Sequence, residues 1–491
     1  MKTLPLNEYK RLCQQPLKVP IYTELSSDLV SPVRVFYALR QKHKKGFLLE
    51  SREHEQDVGR YSFLGFNPKI IVEVKGDKTH LIRGDKKQVL DLDYRSIIRK
   101  TMQQNKTIQN LDLPPLAGGA VGFMCYDSVR MGERIPSKHE DKDQLPDIYF
   151  GFYQTIIAFD HLYQRMTLVY IPDRKGSVEE QYQMGVEHLQ KLLHSILSYS
   201  EKTLINLDSK PIINSDFDVD CSDESYQKMI EKCQEYILAG EIFQVGASRT
   251  FYQKFKSDPL DIFRVLRTKS PSPFMFYLDS GDYVITGSSP ERLGSLKNGE
   301  VEAFPISGAA PRGKGKEDRL YEEQLLTSEK EAAQHMTLVD LARSELGSIC
   351  KPESVKVKDL KSVQRLSNTM HLTSRVIGRL KSQSDALDVM KAFLPAAALS
   401  GAPKIRAMEI IDEVENSRRG IYGGCICYID NLGNFDSCVA TRLVLIKDGV
   451  ASLRFGAGVV SDSKPEKEVL ETTRNAKMIL EAINQAKQGG L

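Results

Sequence analysis

Apolar residues in this 491-residue chain come in short runs broken by turn residues, and that pattern restricts the fold more than any other feature. No run approaches the roughly 18 consecutive apolar residues that a membrane-spanning helix needs. Phe47 to Ser51, Lys69 to Val74, Gly118 to Phe123, Tyr149 to Asp160 and Gln164 to Ile171 read as strands. Ser177 to about Ser198 carries Met184, Val186, Leu189, Leu192 and Leu193 at helical spacing. After a polar stretch from Ser200 to Ser222, the best linker candidate, Glu224 to Ala239 reads as a helix stopped by Gly240. Further strands are expected at Ile242 to Arg249, Met275 to Leu278, Tyr283 to Thr286, Gly423 to Asp430 and Val439 to Ile446. Helices are expected at Lys330 to Leu346, Ser384 to Phe393, Lys404 to Val414 and Pro465 to Ala486. Long helical gaps between strands predict a mixed α+β core and not a regular βαβ array. The chain divides into regions 1–200 and 222–486, expected to form one compact unit.

The 68 basic and 65 acidic residues nearly cancel, to +3, which argues against a nucleic-acid binder. The basic stretch Lys42 to Lys45 is short and reads as a solvated helix end. The N-terminus does not read as a signal peptide. The eight cysteines form no C-x-x-C pair, which fits reduced thiols in a cytoplasmic protein.

Several features could carry chemistry. Glu468 and Glu471 lie on one face of the last helix, and Glu331 and Gln334 repeat that spacing near Lys330. Carboxylates converging from two helices suit Mg²⁺, whereas i, i+3 acidic pairs are most often solvated surface. Small-residue loops at Gly287–Glu291, Pro305–Gly308, Leu399–Lys404 and Phe455–Gly458 would let backbone N–H groups approach an anion, or are plain turns. Lys404 adds a cation at a helix start. His371 lies among apolar neighbours, as a satisfied core histidine or a proton carrier. Arg442, in an apparently apolar strand, needs an anionic partner if buried. The sequence shows no phosphate loop, no dinucleotide fingerprint and no Gly-x-Cys-x-Gly nucleophile turn; ammonia, if used, comes from another chain.

Taken in order, Pro290-Glu291, Pro305-Ile306-x-Gly308, Leu338–Arg343, Met370-His371, Leu399–Glu409, Arg418-Arg419-Gly420-x-Tyr422-Gly423-Gly424 and Gly456-Ala457-Gly458 resemble the chorismate-binding synthase family. Within it the likeness is to the large subunits (component I) of anthranilate synthases. The match is strong over roughly 222–483 and looser before, where Leu48–Ser51, Arg60–Gly65 and Gly118-Gly119 carry it. The resemblance implies a single large chorismate-binding fold, α/β (α+β), of two packed sheets with helices outside. It implies a cytoplasmic, Mg²⁺-dependent lyase of tryptophan biosynthesis acting on chorismate, with a glutamine amidotransferase partner supplying ammonia. It places Glu331, Glu468 and Glu471 at the metal, and Tyr428, Arg442, Gly456 and Gly458 at substrate carboxylates, with Lys404 in the adjoining loop. His371 matches the histidine tied to pyruvate elimination, and Glu291 the acid that helps the ring hydroxyl leave. Gln244 stands where water-adding relatives have a lysine base, and a neutral amide cannot activate water, so an amine nucleophile is favoured. Ser307 stands where aminodeoxychorismate synthases typically have a nucleophilic lysine. Glu50, Ser51, Pro273 and Met275 fall where tryptophan binds as allosteric feedback inhibitor.

The chain departs from the family pattern at Ala309, Ala398, Gln334 and Asn475, and an amide at 334 should weaken Mg²⁺ binding. The implied reaction joins ammonia to chorismate and releases pyruvate to give anthranilate. A synthase with an altered product of the aminodeoxychorismate type, or an impaired homologue with a binding or regulatory role, are the alternatives.

Overall fold

The computed structural model describes residues 3–51, 59–109, 111–199, 217–365 and 369–487. Residues 200–216, most of the expected linker, lie outside the described residues. Two antiparallel sheets, each of 12 strands among the described residues, form the body. Strands from before residue 200 and after residue 222 are hydrogen-bonded neighbours in both: Gly46–Glu50 pairs with Phe274–Asp279, and Gly119–Met124 with Cys425–Asp430.

The short apolar runs are explained by burial on two sides. Along Phe274–Asp279, successive side chains face opposite ways. Phe276 and Leu278 enter the layer between the sheets, with Phe47, Phe123, Ile285 and Ile426. Met275 and Tyr277 enter the outer layer, where Tyr277 meets Phe36 and Phe263 edge-on. Each large side chain so buried contributes about 1.5–3 kcal/mol. Helices Pro32–Arg40, Val178–Leu197, Pro259–Lys269 and Pro465–Lys487 cover the first sheet. Helices Tyr94–Gln104, Glu329–Ile349 and Ala386–Phe393 cover the second. Val178–Leu197 begins where expected because Ser177 and Glu180 close a reciprocal capping box. This is the expected α+β architecture of packed sheets with helices outside. Lys42 and Lys44 are exposed just past helix Pro32–Arg40. All eight cysteines are free thiols, seven of them buried.

Two expected strands are each broken in two. Tyr149 to Asp160 divides at Gln154, with Ile148–Tyr153 in the second sheet and Thr155–Asp160 in the first. Val439 to Ile446 divides at Ala440–Arg442, between Phe435–Val439 in the second sheet and Leu443–Lys447 in the first. Arg442 is therefore not in a strand; it turns the chain between sheets with φ at +47°. An apolar run gives no sign of which sheet each half joins.

The second break has a counterpart. Tyr283–Ser289 lies in the first sheet and Arg292–Lys297 in the second, joined through Pro290 and Glu291. Tyr283–Gly287 pairs with Leu443–Lys447, and Arg292–Leu296 with Phe435–Cys438, so a two-stranded ribbon crosses as a unit. The Val439 amide donates to the Glu291 carbonyl at 3.0 Å and the Ser288 amide to the Arg442 carbonyl at 3.2 Å, stapling the ribbon at the crossing.

Candidate functional site

The crossing ribbon brings Glu291 and Arg442 together. Burial pushes the Glu291 carboxyl up from its ordinary range, opposed by the positive charge of Arg442. An acid so held keeps its proton to higher pH than a surface glutamate. His371, on strand Thr369–Arg379, joins them. Its Nδ1 lies 2.6 Å from the Gly308 carbonyl, which can only accept, so Nδ1 carries the hydrogen. Its Nε2 is then the acceptor of the Thr369 hydroxyl, at 2.9 Å. Burial lowers the His371 pKa; the Gly308 hydrogen bond partly opposes this and the Arg442 charge reinforces it. The ring is therefore neutral near pH 7, with its basic nitrogen at Nε2. Gly308 occupies the irregular stretch of Ile306–Pro311, at φ +62°.

The glycines of the Phe455–Gly458 loop differ. A Cβ on Gly456 would lie 2.5 Å from the Ala247 carbonyl and 3.1 Å from the Tyr422 hydroxyl, while one on Gly458 would meet nothing within 4 Å. Close packing demands glycine at 456 and not at 458. The tyrosine beside this loop is thus Tyr422, whose environment also includes Arg419, Glu415, Arg454 and Glu291. Tyr428, the tyrosine expected there, lies elsewhere: on strand Cys425–Asp430, its ring 5.9 Å from that of Phe63. Tyr422 lies within the Arg418–Gly424 motif, and spacing along the chain could not show that it precedes the strand while Tyr428 is carried away along it.

Gln244 opens strand Gln244–Lys254, pairs in register with Ala402, and is half-buried. Gly401 has φ +135°, and a Cβ there would sit 2.3 Å from the Gln244 carbonyl, so this approach also requires glycine. The expected free cation at Lys404 is engaged: its Nζ contacts Glu345 Oε1 at 2.6 Å, an ion pair mostly hidden from solvent. Ala398 lines a small apolar cavity that also borders Glu291 and Glu345. The side chain of Ala309 lies outside the described residues.

The acidic residues sit at the starts of two helices. Ser328 caps Glu329–Ile349 by accepting from the Glu331 amide, and Lys330 bridges to Asp462 (2.7 Å), just before Pro465–Lys487. Glu331 faces Gly308, its Oε2 2.9 Å from where a Cβ there would be. Burial raises the Glu468 pKa, with the negative charge of Glu471 adding to it, an excess charge that a cation would relieve. Among the described residues no three His, Cys, Asp or Glu side chains gather into a metal cage. Two carboxylates fit Mg²⁺, which commonly takes one or two from a protein and completes its shell with water and substrate. Gln334 and Asn475, each a turn further along these helices, are half-buried.

One residue was missed altogether. His335 is fully buried, its Nδ1 2.8 Å from the Ser307 hydroxyl and its Nε2 2.7 Å from that of Ser374. It pins helix Glu329–Ile349 to the strands bearing Gly308 and His371. Its only sequence signal was its position one turn after Glu331.

A second cavity, of about 130 Å³, contains all four residues expected at an inhibitor site, Glu50, Ser51, Pro273 and Met275, together with Tyr428. Glu50 is held bidentately by Arg267, at 2.7 and 2.8 Å. Among the described residues the buried Ser51 hydroxyl has no hydrogen-bond partner.

Residues 44–481 match the family described as chorismate binding enzyme. Anthranilate synthase component 1 of Aquifex aeolicus is 36% identical over 99% of this chain and 98% of its own length. That of Acetivibrio thermocellus is 37% identical, covering 98% of each. The crystal structure of anthranilate synthase component I from Streptococcus pneumoniae superposes with a TM-score of 0.75 at 32% identity, covering 93% of this chain and 99% of that one. The menaquinone-specific isochorismate synthase of Escherichia coli reaches 0.69 at 17% identity, covering 97% and 98%, a likeness of fold alone. With the motifs, the fold and these likenesses in agreement over almost the whole chain, it belongs to the chorismate-binding enzyme family.

Proposed function

We propose that this chain is the synthase component of an anthranilate synthase, converting chorismate and ammonia to anthranilate, pyruvate and water. The observation that carries the reading is the meeting around Arg442 of Glu291, whose carboxyl burial pushes up, and His371, whose ring is oriented by its hydrogen bonds to Gly308 and Thr369. Ammonia forms a C–N bond at the ring carbon beside the carboxylate, the ring double bonds shift, and the hydroxyl leaves as water with the Glu291 proton. Loss of the proton from the aminated carbon and release of the enolpyruvyl group as pyruvate then make the ring aromatic. His371 Nε2 is the basic group on that side, freed when Thr369 turns its hydroxyl away. Arg442 and Tyr422, with the backbone at Gly456, bind carboxylate. Glu468 and Glu471, with Glu331, would hold Mg²⁺, which supplies charge neutralisation and orientation of a substrate carboxylate. Gln244 supports an amine nucleophile over water, because a neutral amide is no base.

The same reading includes a glutaminase partner, since the sequence has no amidotransferase nucleophile turn, and a cytoplasmic setting. Among the described residues no helix is long and apolar enough to cross a membrane. It also includes feedback inhibition through the second cavity, where the unpartnered Ser51 hydroxyl and the surrounding aromatic rings suit an aromatic amino acid such as tryptophan.

The test is purified protein with chorismate, Mg²⁺ and ammonium, following anthranilate fluorescence and pyruvate together. Equal yields are expected. A ring product without pyruvate would mean that the chain stops at the aminated intermediate. No turnover, with no Mg²⁺-dependent chorismate binding, would overturn the reading.

A further inference from the structure

We infer that the buried cluster Arg419–Glu415–Arg454 acts as a positioning and electrostatic platform beneath the carboxylate-binding side of the site, working through Tyr422 and the Ser248–Gly456 pair. The inference rests on the proposed reading, in which an anionic ring substrate lies against Gly456 and Tyr422.

The three side chains are 1%, 1% and 5% exposed. Arg419 grips both Glu415 oxygens, with contacts from 2.6 to 3.2 Å, and Arg454 Nη2 reaches Glu415 Oε2 at 2.6 Å. Glu415 also accepts from the Ser248 amide and hydroxyl, at 2.9 and 2.7 Å. Two arginines therefore surround one carboxylate, and their charge lowers the Glu415 pKa although burial alone would raise it.

The cluster reaches the site by short paths. Arg454 Nε donates to the Ser248 hydroxyl at 2.7 Å, and Ser248 is the register partner of Gly456. Arg419 donates at 2.6 Å to the carbonyls of both Leu399 and Gly246, fixing the loop before Gly401 against the strand that begins at Gln244. Its guanidinium lies 4.7 Å from the Tyr126 ring centre and 5.7 Å from that of Tyr422. Other acids stand nearby: Asp220 reaches Arg454 through Ser417, Asp143 lies near Arg454 with its pKa raised by burial, and Asp127, paired with Arg130, accepts from the Gly420 amide beside Arg419.

A buried ion cluster is a costly way to hold a fold together, because apolar residues of similar volume often serve as well or better. Here the cost coincides with a function. Two arginines bond directly to one carboxylate, while Asp220 reaches Arg454 only through the Ser417 hydroxyl; in a medium where charge is poorly screened, the guanidiniums in direct contact favour a carboxylate placed above them.

The test uses substitutions of opposite charge effect. Arg454→Met removes a positive charge and Glu415→Gln a negative one, and both should lower the melting temperature. Chorismate affinity, measured calorimetrically with Mg²⁺ and without ammonia, should move in opposite directions. Arg454→Met should weaken it on the order of tenfold, the effect of one charge acting across a protein interior, and Glu415→Gln should strengthen it. Arg454→Lys keeps the charge but loses the fork, and should bind more tightly than Arg454→Met; it also stands in if that variant fails to fold. Equal weakening by Arg454→Met and Glu415→Gln, or by the Lys and Met variants at 454, would reduce the cluster to scaffold and overturn the inference. Failure of the unaltered protein to bind chorismate would instead overturn the proposed function, and this inference with it.

Discussion

Two glutamates, Glu50 buried and Glu291 half-buried, stand at the same end of the first sheet and have opposite characters. Glu50 ends strand Gly46–Glu50, and Glu291 follows Tyr283–Ser289; the strand Phe274–Asp279 separates them. Glu50 is locked by a bidentate arginine on helix Pro259–Lys269. Glu291 has burial on one side of the balance and the field of Arg442 on the other, and burial prevails. The first is a framework residue lining a cavity, and the second, in the proposed reaction, gives up a proton. The partner separates them, not the residue type. Pro273 and Phe274 line both the Glu50 cavity and the roughly 320 Å³ cleft beside Glu291, so the two share a wall.

The comparison breaks most visibly at Glu291. Glu291→Gln removes the proton and should lower kcat about 10²–10⁴-fold, the usual contribution of general acid catalysis. Melting temperature should hold or rise. A glutamate whose folded pKa is raised loses stability as pH climbs from its unfolded value through the folded one, and the amide avoids that loss. In the unaltered protein, activity normalised to free ammonia should fall as pH rises through the Glu291 pKa. On the acid side it should fall below the ordinary histidine range, where His371 gains its proton. A pH profile in Glu291→Gln that keeps the alkaline decline would remove Glu291 from the acid role.

Arg267→Met is the complementary change. It strands Glu50 in a buried position, which should cost about 3–5 kcal/mol by denaturant titration. Activity at low temperature should persist, because Arg267 pairs with Glu50 and not with Glu291. A loss below 1 kcal/mol would mean that cavity water readily replaces the guanidinium.

The glycine loop gives a smaller contrast. Gly456→Ala drives a methyl group onto the Ala247 carbonyl and should cost about 1–3 kcal/mol and weaken substrate binding. Gly458→Ala, with open space, should change neither. Equal effects would show that the two positions are alike despite their surroundings.

These contrasts also show what the sequence could reveal. Strands such as Gly46–Glu50 and helices such as Val178–Leu197 were legible because local patterning and capping determine them. Glu50, Ser51, Pro273 and Met275, far apart in sequence and grouped only through resemblance, line one cavity. The sheet changes at Gln154 and Ala440–Arg442 were not legible, because an apolar run looks the same in either sheet. Lys404 looked like an available cation because Glu345, its partner, lies 59 residues away. His335 was invisible for the same reason: the two serines that hold it come from separate strands.

The smallest expected effect tests which tyrosine meets the substrate. Tyr422 stands beside Gly456, while Tyr428 packs on Phe63 in the other cavity. Tyr422→Phe deletes one hydroxyl near the substrate and should raise KM severalfold, roughly 1 kcal/mol, with kcat little changed. Tyr428→Phe should leave KM for chorismate alone and alter only the concentration of aromatic amino acid that inhibits. The swapped outcome, KM moving with Tyr428 and not Tyr422, would place the substrate in the Glu50 cavity and reverse the assignment of the two glutamates.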